Sequence, residues 1–140
     1  YIFVAAEQMG LMIYNRATQE LVSEVAVPGE ALKVALDGDY AYVAGRQCGF
    51  SAVNISQIEE PVLMGNVETT GYAKTVDIWG DLAVVSSGGG GIYLFDISSP
   101  GNPLLIQNLS EVGYSNNARF CDGKLIVAAR DQGVLIYDID

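Results

Sequence analysis

The stretch Gly91-Ile92-Tyr93-Leu94-Phe95-Asp96-Ile97-Ser98-Ser99-Pro100 reads as a β-strand entered through a glycine and left through a turn. Its centre is an unbroken apolar run of aromatic and aliphatic side chains. Such a run marks a strand covered on both faces, because a half-exposed strand alternates apolar with polar residues. Asp96, Ser98 and Ser99 bring side chains that bond to nearby backbone, and Pro100 stops the strand from running on. The same phrase recurs at a spacing of 42 residues, as Gly49-Phe50-Ser51-Ala52-Val53-Asn54-Ile55-Ser56 before it and Gly133-Val134-Leu135-Ile136-Tyr137-Asp138-Ile139 after it. Gly10 and Asn15 open and close a fourth copy nearest the N-terminus.

Other columns keep the same register. Asp37-Gly38-Asp39 lies over Trp79-Gly80-Asp81 and, shifted by one, over Asp122-Gly123-Lys124; Pro61 lies over Pro103; and Tyr1-Ile2-Phe3-Val4-Ala5 matches Tyr40-Ala41-Tyr42-Val43-Ala44. Each unit holds four strand-like runs, here named a to d. In the third unit they are residues 73–78, 82–86, 91–97 and 104–109. Runs a and b join through a glycine turn, where Gly adopts positive φ without steric penalty. A period in the low forties with four strands per period predicts an all-β chain built of β-propeller blades, each a four-stranded antiparallel sheet. A two-layer sandwich would expose one face of each sheet and has no reason to repeat at this period. The chain is expected to form one propeller domain over residues 1–140, with a partial blade at 1–28, full blades at 29–70 and 71–112, and a partial blade at 113–140. The first unit starts at strand b and the last stops at strand c. That phase predicts a partial ring belonging to a longer propeller; the alternatives are self-association that completes the ring and a small propeller.

These runs, together with Gly71-Tyr72-Ala73 and Asp39-Tyr40-Ala41-Tyr42-Val43-Ala44, resemble the LVIVD repeat. The resemblance spans nearly the whole chain and is weakest over residues 16–27, where the first unit is three residues short. It implies a β-propeller in a bacterial or archaeal protein, with an extracellular or cell-surface location. It implies no catalytic residues.

Composition narrows the function classes. With 17 acidic against 7 basic side chains the net charge is −10, a sign that repels phosphate backbones and anionic lipid, so no nucleic-acid partner is expected. No run of 18 apolar residues is present, so no membrane-inserted helix is expected. The sequence contains no His, which removes the commonest general base and metal ligand along with every Ser-His-Asp or Cys-His mechanism.

The candidate sites are weighed against the repeat. Gly88-Gly89-Gly90-Gly91 looks like a phosphate loop, but a strand follows where such a loop needs a helix, so it is expected to be a b–c hairpin. The Asn15, Asn54, Asp96 and Asp138 column places one oxygen ligand per blade, too sparse for calcium, and is expected to form Asx turns. No metal site or cofactor is expected. Cys48, in a b–c loop, and Cys121, at the end of a strand a, belong to opposite ends of a ring and are expected to be free thiols, Cys121 partly buried. Asn54-Ile55-Ser56 and Asn108-Leu109-Ser110 fit a glycosylation pattern at structural positions.

Departures from the repeat carry more information. The b–c and d–a loops share one rim of a propeller, and there the units differ. Arg46, Gln47, Tyr72, Lys74, Tyr114, Asn116 and Arg130 gather on that rim and form the expected binding residues, Tyr and Arg being common interface anchors. The expected function is a non-catalytic interaction module that binds a protein or glycan. The alternatives are a spacer without a ligand and a segment of an enzyme whose site lies elsewhere.

Overall fold

The computed structural model describes residues 1–139. Among these residues fourteen strands form four separate antiparallel sheets. Blade 1 holds β1 (Ile2–Ala5), β2 (Leu11–Tyr14) and β3 (Leu21–Val25). Blade 2 holds β4 (Lys33–Asp37), β5 (Tyr40–Ala44), β6 (Phe50–Asn54) and β7 (Val62–Val67). Blade 3 holds β8 (Thr75–Trp79), β9 (Leu82–Ser86), β10 (Ile92–Asp96) and β11 (Leu104–Leu109). Blade 4 holds β12 (Ser115–Cys121), β13 (Lys124–Ala129) and β14 (Gly133–Asp138). Every pairing joins strands adjacent in sequence, so each blade is a meander, and the chain is an arc of propeller blades.

The local chemistry behaves as the repeat predicts. The glycine heading each strand c has nearly the same φ, +77° at Gly10, +78° at Gly49, +80° at Gly91 and +77° at Gly133. In the first three blades a Cβ there would meet a carbonyl oxygen of the outer strand d, 1.9 Å away at Gly49, so backbone approach and dihedral both demand glycine. At the other end of strand c, Asn15, Asn54 and Asp96 accept backbone N–H bonds from Ala17, Ser56 and Ser98 at 2.8, 2.9 and 2.8 Å. These are Asx turns. Strand a of blade 3 starts at Thr75 rather than residue 73, because Ala73 is bridged to Arg46 of the preceding blade instead of to its own sheet.

Blades hold together through three apolar layers. Between blades 1 and 2, Leu11 and Ile13 meet Ala41, Val43 and Val53. Between blades 2 and 3, Tyr42 and Phe50 meet Val85, Tyr93 and Phe95, with the Phe50 and Phe95 ring centroids 4.7 Å apart. Between blades 3 and 4, Val84 and Ile92 meet Leu125 and Val127. Because residue columns repeat, each blade offers one face forward to the next blade and one backward to the last. Among the described residues no comparable layer joins blade 4 to blade 1. Accordingly the backward face of blade 1 leaves Ile2 and Val4 exposed, and the forward face of blade 4 leaves Val134 68% and Ile136 62% exposed. Thus among the described residues β14 is covered on one face and not on both as its apolar run suggests. Cys121 sits on this same open face and is exposed rather than partly buried; it and Cys48 are free thiols.

Three predictions follow the packing. Phe50→Ala empties the middle of the layer between blades 2 and 3 and is expected to cost about 3–5 kcal/mol, read by chemical denaturation. Tyr42 is pushed up from 10.0 to about 12, first by burial and then by the charges of Asp37, Tyr40 and Asp81. Its raised value stabilises the fold fully below pH 10, and that contribution falls away as pH rises towards 12; Tyr42→Phe is expected to flatten this alkaline loss in melting curves. Asp96 is held below the ordinary carboxylate value of 3.8 by hydrogen bonds from the Ser98 hydroxyl and amide. This contribution is present above pH 3.8 and disappears as pH falls through the lowered value. Asp96→Asn, which copies Asn15 and Asn54, is expected to lower the melting temperature at pH 7 slightly, by the loss of that contribution, and to reduce its decline on acidification.

Candidate functional site

The b–c loop of each blade meets the start of strand a in the next blade, and short backbone bridges lock that junction. Glu7 bridges Ala31, Arg46 bridges Ala73 and Gly88 bridges Ser115. The first two are two-way, each residue donating its N–H to the other's carbonyl at 2.6–3.0 Å. To reach across, Glu7, Arg46 and Gly88 adopt φ of 49°, 48° and 53°. Positive φ in a non-glycine residue is uncommon and persists here because the bridge holds it.

Buried hydroxyls brace this rim from beneath. The Ser87 hydroxyl donates to the Thr70 carbonyl at 2.7 Å and lies 2.8 Å from the Thr69 hydroxyl. The Thr70 amide donates to the Tyr93 hydroxyl oxygen at 3.0 Å, and the Ser115 hydroxyl donates to the Gly91 carbonyl at 2.7 Å. Satisfied polar groups at this depth fix loop positions that apolar packing alone leaves free. Sequence reasoning missed these residues; the runs Thr69-Thr70 and Ser86-Ser87 beside glycines were the available signal.

On top of the braced loops the expected rim residues form two cation–aromatic clusters. In the first, the Arg46 guanidinium lies 5.4 Å from the centre of the Tyr72 ring and also pairs with Glu30. In the second, Tyr114 receives two cations: Arg130 at 3.8 Å from the ring centre and Lys74 at 5.1 Å. Lys74 also lies 3.4 Å from the Asn116 side-chain oxygen. Tyr72 and Lys74 stand two residues apart at the mouth of blade 3, so the clusters form one row across blades 2 to 4. Gln47 is exposed and joins neither cluster by a hydrogen bond or ring contact.

The pairing follows from one substitution in the column. Arg46 reaches forward onto the tyrosine of the next unit. Its counterpart in the following blade is Gly88, which has no side chain to do so. A Cβ on Gly88 would lie 3.5 Å from the Tyr114 ring. Tyr114 is thereby left to Lys74 beside it and to Arg130 from its own blade. Charge is unevenly spent along the row. Arg46 is neutralised by Glu30, whereas neither Lys74 nor Arg130 takes part in an ion pair among the described residues, where the pairs are Arg46–Glu30 and Lys124–Asp138. An exposed tyrosine at one end of the row (Tyr72, 54% exposed) and two uncompensated cations at the other suit a ligand that combines a flat or apolar face with an anionic group.

Comparison with known proteins places this architecture. Two solved structures superpose on nearly the whole chain. The computationally designed Ika4 protein matches with a TM-score of 0.78 at 13% identity, covering 99% of this chain and 84% of that one. The computationally designed Ika8 protein matches with a TM-score of 0.78 at 11% identity, covering 98% of this chain and 42% of that one. At such identities the likeness is one of fold alone. No curated protein matches the sequence. The LVIVD repeat model, in contrast, matches twice in tandem, over residues 28–69 and 70–110, which together make up more than half of the chain. Blades 2 and 3, with their strand-c glycines and Asx turns, lie within those two matches, and the chain belongs to the LVIVD repeat family.

Proposed function

We propose that the protein is a non-catalytic interaction module of a surface or secreted protein, and that it binds a protein or glycan through the rim row. The observation that carries this reading is the convergence of Lys74 and Arg130 on Tyr114, two cations held on one ring and, among the described residues, without a carboxylate partner. In a chain of net charge −10 such a pair is a local exception to the field around it. A carboxylate or sulfate approaching the row meets charge-assisted donors that are already positioned, while the exposed Tyr72 offers ring surface to a sugar or an aromatic side chain. The bridged loops beneath limit the ordering cost of binding, which favours affinity from few contacts.

Two probes test the reading, a uronate-rich oligosaccharide and a Glu-rich peptide, each titrated by calorimetry. At least one is expected to bind saturably and more weakly at higher salt. Tyr114→Ala and Arg130→Ala are each expected to weaken that binding by about tenfold or more, and Arg46→Ala, whose charge Glu30 already offsets, by less. If neither probe binds, or if binding survives both substitutions, the rim is not the binding surface and the spacer reading takes its place.

A further inference from the structure

Two triplets fit the pattern of an N-glycan acceptor, Asn54-Ile55-Ser56 and Asn108-Leu109-Ser110, and the fold treats them in opposite ways. Asn54 closes β6 and heads the c–d turn of blade 2. Its side-chain oxygen accepts two bonds from Ser56, from the amide at 2.9 Å and from the hydroxyl at 2.7 Å. The oxygen alone therefore holds the turn, and among the described residues the Asn54 side-chain nitrogen donates to no acceptor. Ser56 and Gln57 beside it are exposed. Ile55 anchors the turn from beneath: it is buried, and its N–H donates to the Asp39 carbonyl at 2.8 Å. Asn108 is engaged differently. It lies within β11, paired across to Tyr93, and its nitrogen donates to the Gly90 carbonyl at 3.4 Å. Ser110 opens the short 3-10 helix that follows, and among the described residues its hydroxyl makes no bond to Asn108.

The difference bears on reactivity. An asparagine amide is a poor nucleophile, because its nitrogen lone pair is shared with the carbonyl. As the nitrogen gives up a proton to attack, charge collects on the oxygen. Two donors already aimed at the Asn54 oxygen stabilise that charge, and the nitrogen faces outward unencumbered. In Asn108 the nitrogen is the occupied atom and the oxygen has no such pair of donors.

We propose that Asn54 is an N-glycosylation site and that Asn108 is not. The Asn54 nitrogen forms a bond to the anomeric carbon of an oligosaccharide carried on a lipid pyrophosphate. The carbon–oxygen bond to the pyrophosphate breaks, the pyrophosphate leaves with that electron pair, and the nitrogen's proton passes to a base of the transferring enzyme. The side-chain oxygen remains a carbonyl, so the turn survives the modification. The Ile55–Asp39 bond sets this turn beside the a–b turn, at the end of the blade away from the b–c loops. A glycan there leaves the cation–aromatic row open, and the site stands whatever that row binds.

Neighbouring blades supply internal controls. In blade 1 Asn15 is followed by Arg16-Ala17, which brings no hydroxyl. Blade 3 repeats the whole turn: Ile97 is buried and donates to the Asp81 carbonyl at 2.8 Å, and the Ser98 amide bonds to Asp96 at 2.8 Å. Only the nitrogen is missing, because Asp96 has a carboxylate in its place.

The folded full chain is incubated with an oligosaccharyltransferase that accepts Asn-X-Ser/Thr and with its lipid-linked oligosaccharide, and intact mass and peptide mapping are read. Peptides of residues 52–58 and 106–112 run in parallel, and both are expected to take the glycan. The folded chain is expected to gain one glycan, at Asn54, and none at Asn108. Ser56→Ala is expected to lose the modification and Ser56→Thr to keep it. Asp96→Asn, with folding checked by its melting curve, is expected to gain a second glycan in blade 3. A folded chain left unmodified while the 52–58 peptide is modified would overturn the proposal. So would equal transfer to Asn108 in the folded chain, or transfer to Asn54 that survives Ser56→Ala. Binding of the rim probes is expected to be the same with and without the glycan, which keeps this test separate from that of the rim.

Discussion

Everything in this molecule depends on one constraint: a four-stranded sheet of these residues has two apolar faces and can leave neither in water. Strand c supplies both, with Ile92 turned towards blade 4 while Tyr93 and Phe95 turn towards blade 2. A lone sheet of this kind has no stable solution, and two sheets would still expose their outer faces. Stacking in series resolves all but the two ends. The rim loops, the bridges and the cation–aromatic row exist where they do because the stacking brings the b–c loop of one blade against the strand a of the next. The function proposed for the rim is therefore a by-product of how the cores are covered.

Much of this was legible in the sequence. The strand boundaries 82–86 and 104–109 come out as the columns predict, because alternation, turn residues and period all point to the same limits. The Asx turns were equally legible, since Asn15, Asn54 and Asp96 act on backbone two residues away and need no tertiary context. The rim residues were placed on one rim by topology alone. Their pairing was not legible. Arg46 reaches a tyrosine in the next unit and Arg130 one in its own, and the difference turns on the absence of a side chain at Gly88. No periodic pattern encodes a contact between two positions of different units when one unit breaks the pattern.

Burial at the two ends was likewise beyond sequence reading. Val134 and Ile136 occupy the columns of Ile92 and Leu94, yet stand in solvent where Ile92 is fully buried. Periodicity describes which face a residue takes; coverage of that face is a property of the neighbour. Cys121 illustrates the same point, a residue judged by its column and exposed by its position in the stack.

The backbone bridges along the rim have a consequence beyond binding. Glu7–Ala31, Arg46–Ala73 and Gly88–Ser115 run in series, each tying one blade to the next at the same edge. Each joins neighbours only, so a whole unit can be duplicated or deleted in the gene without asking any surviving bridge to find a new kind of partner. A recombination event that shifts the reading by 42 residues preserves the glycine, the turn and the latch together. Such a chain tolerates the gain or loss of a whole unit far better than an insertion within one, because each unit contacts only its neighbours.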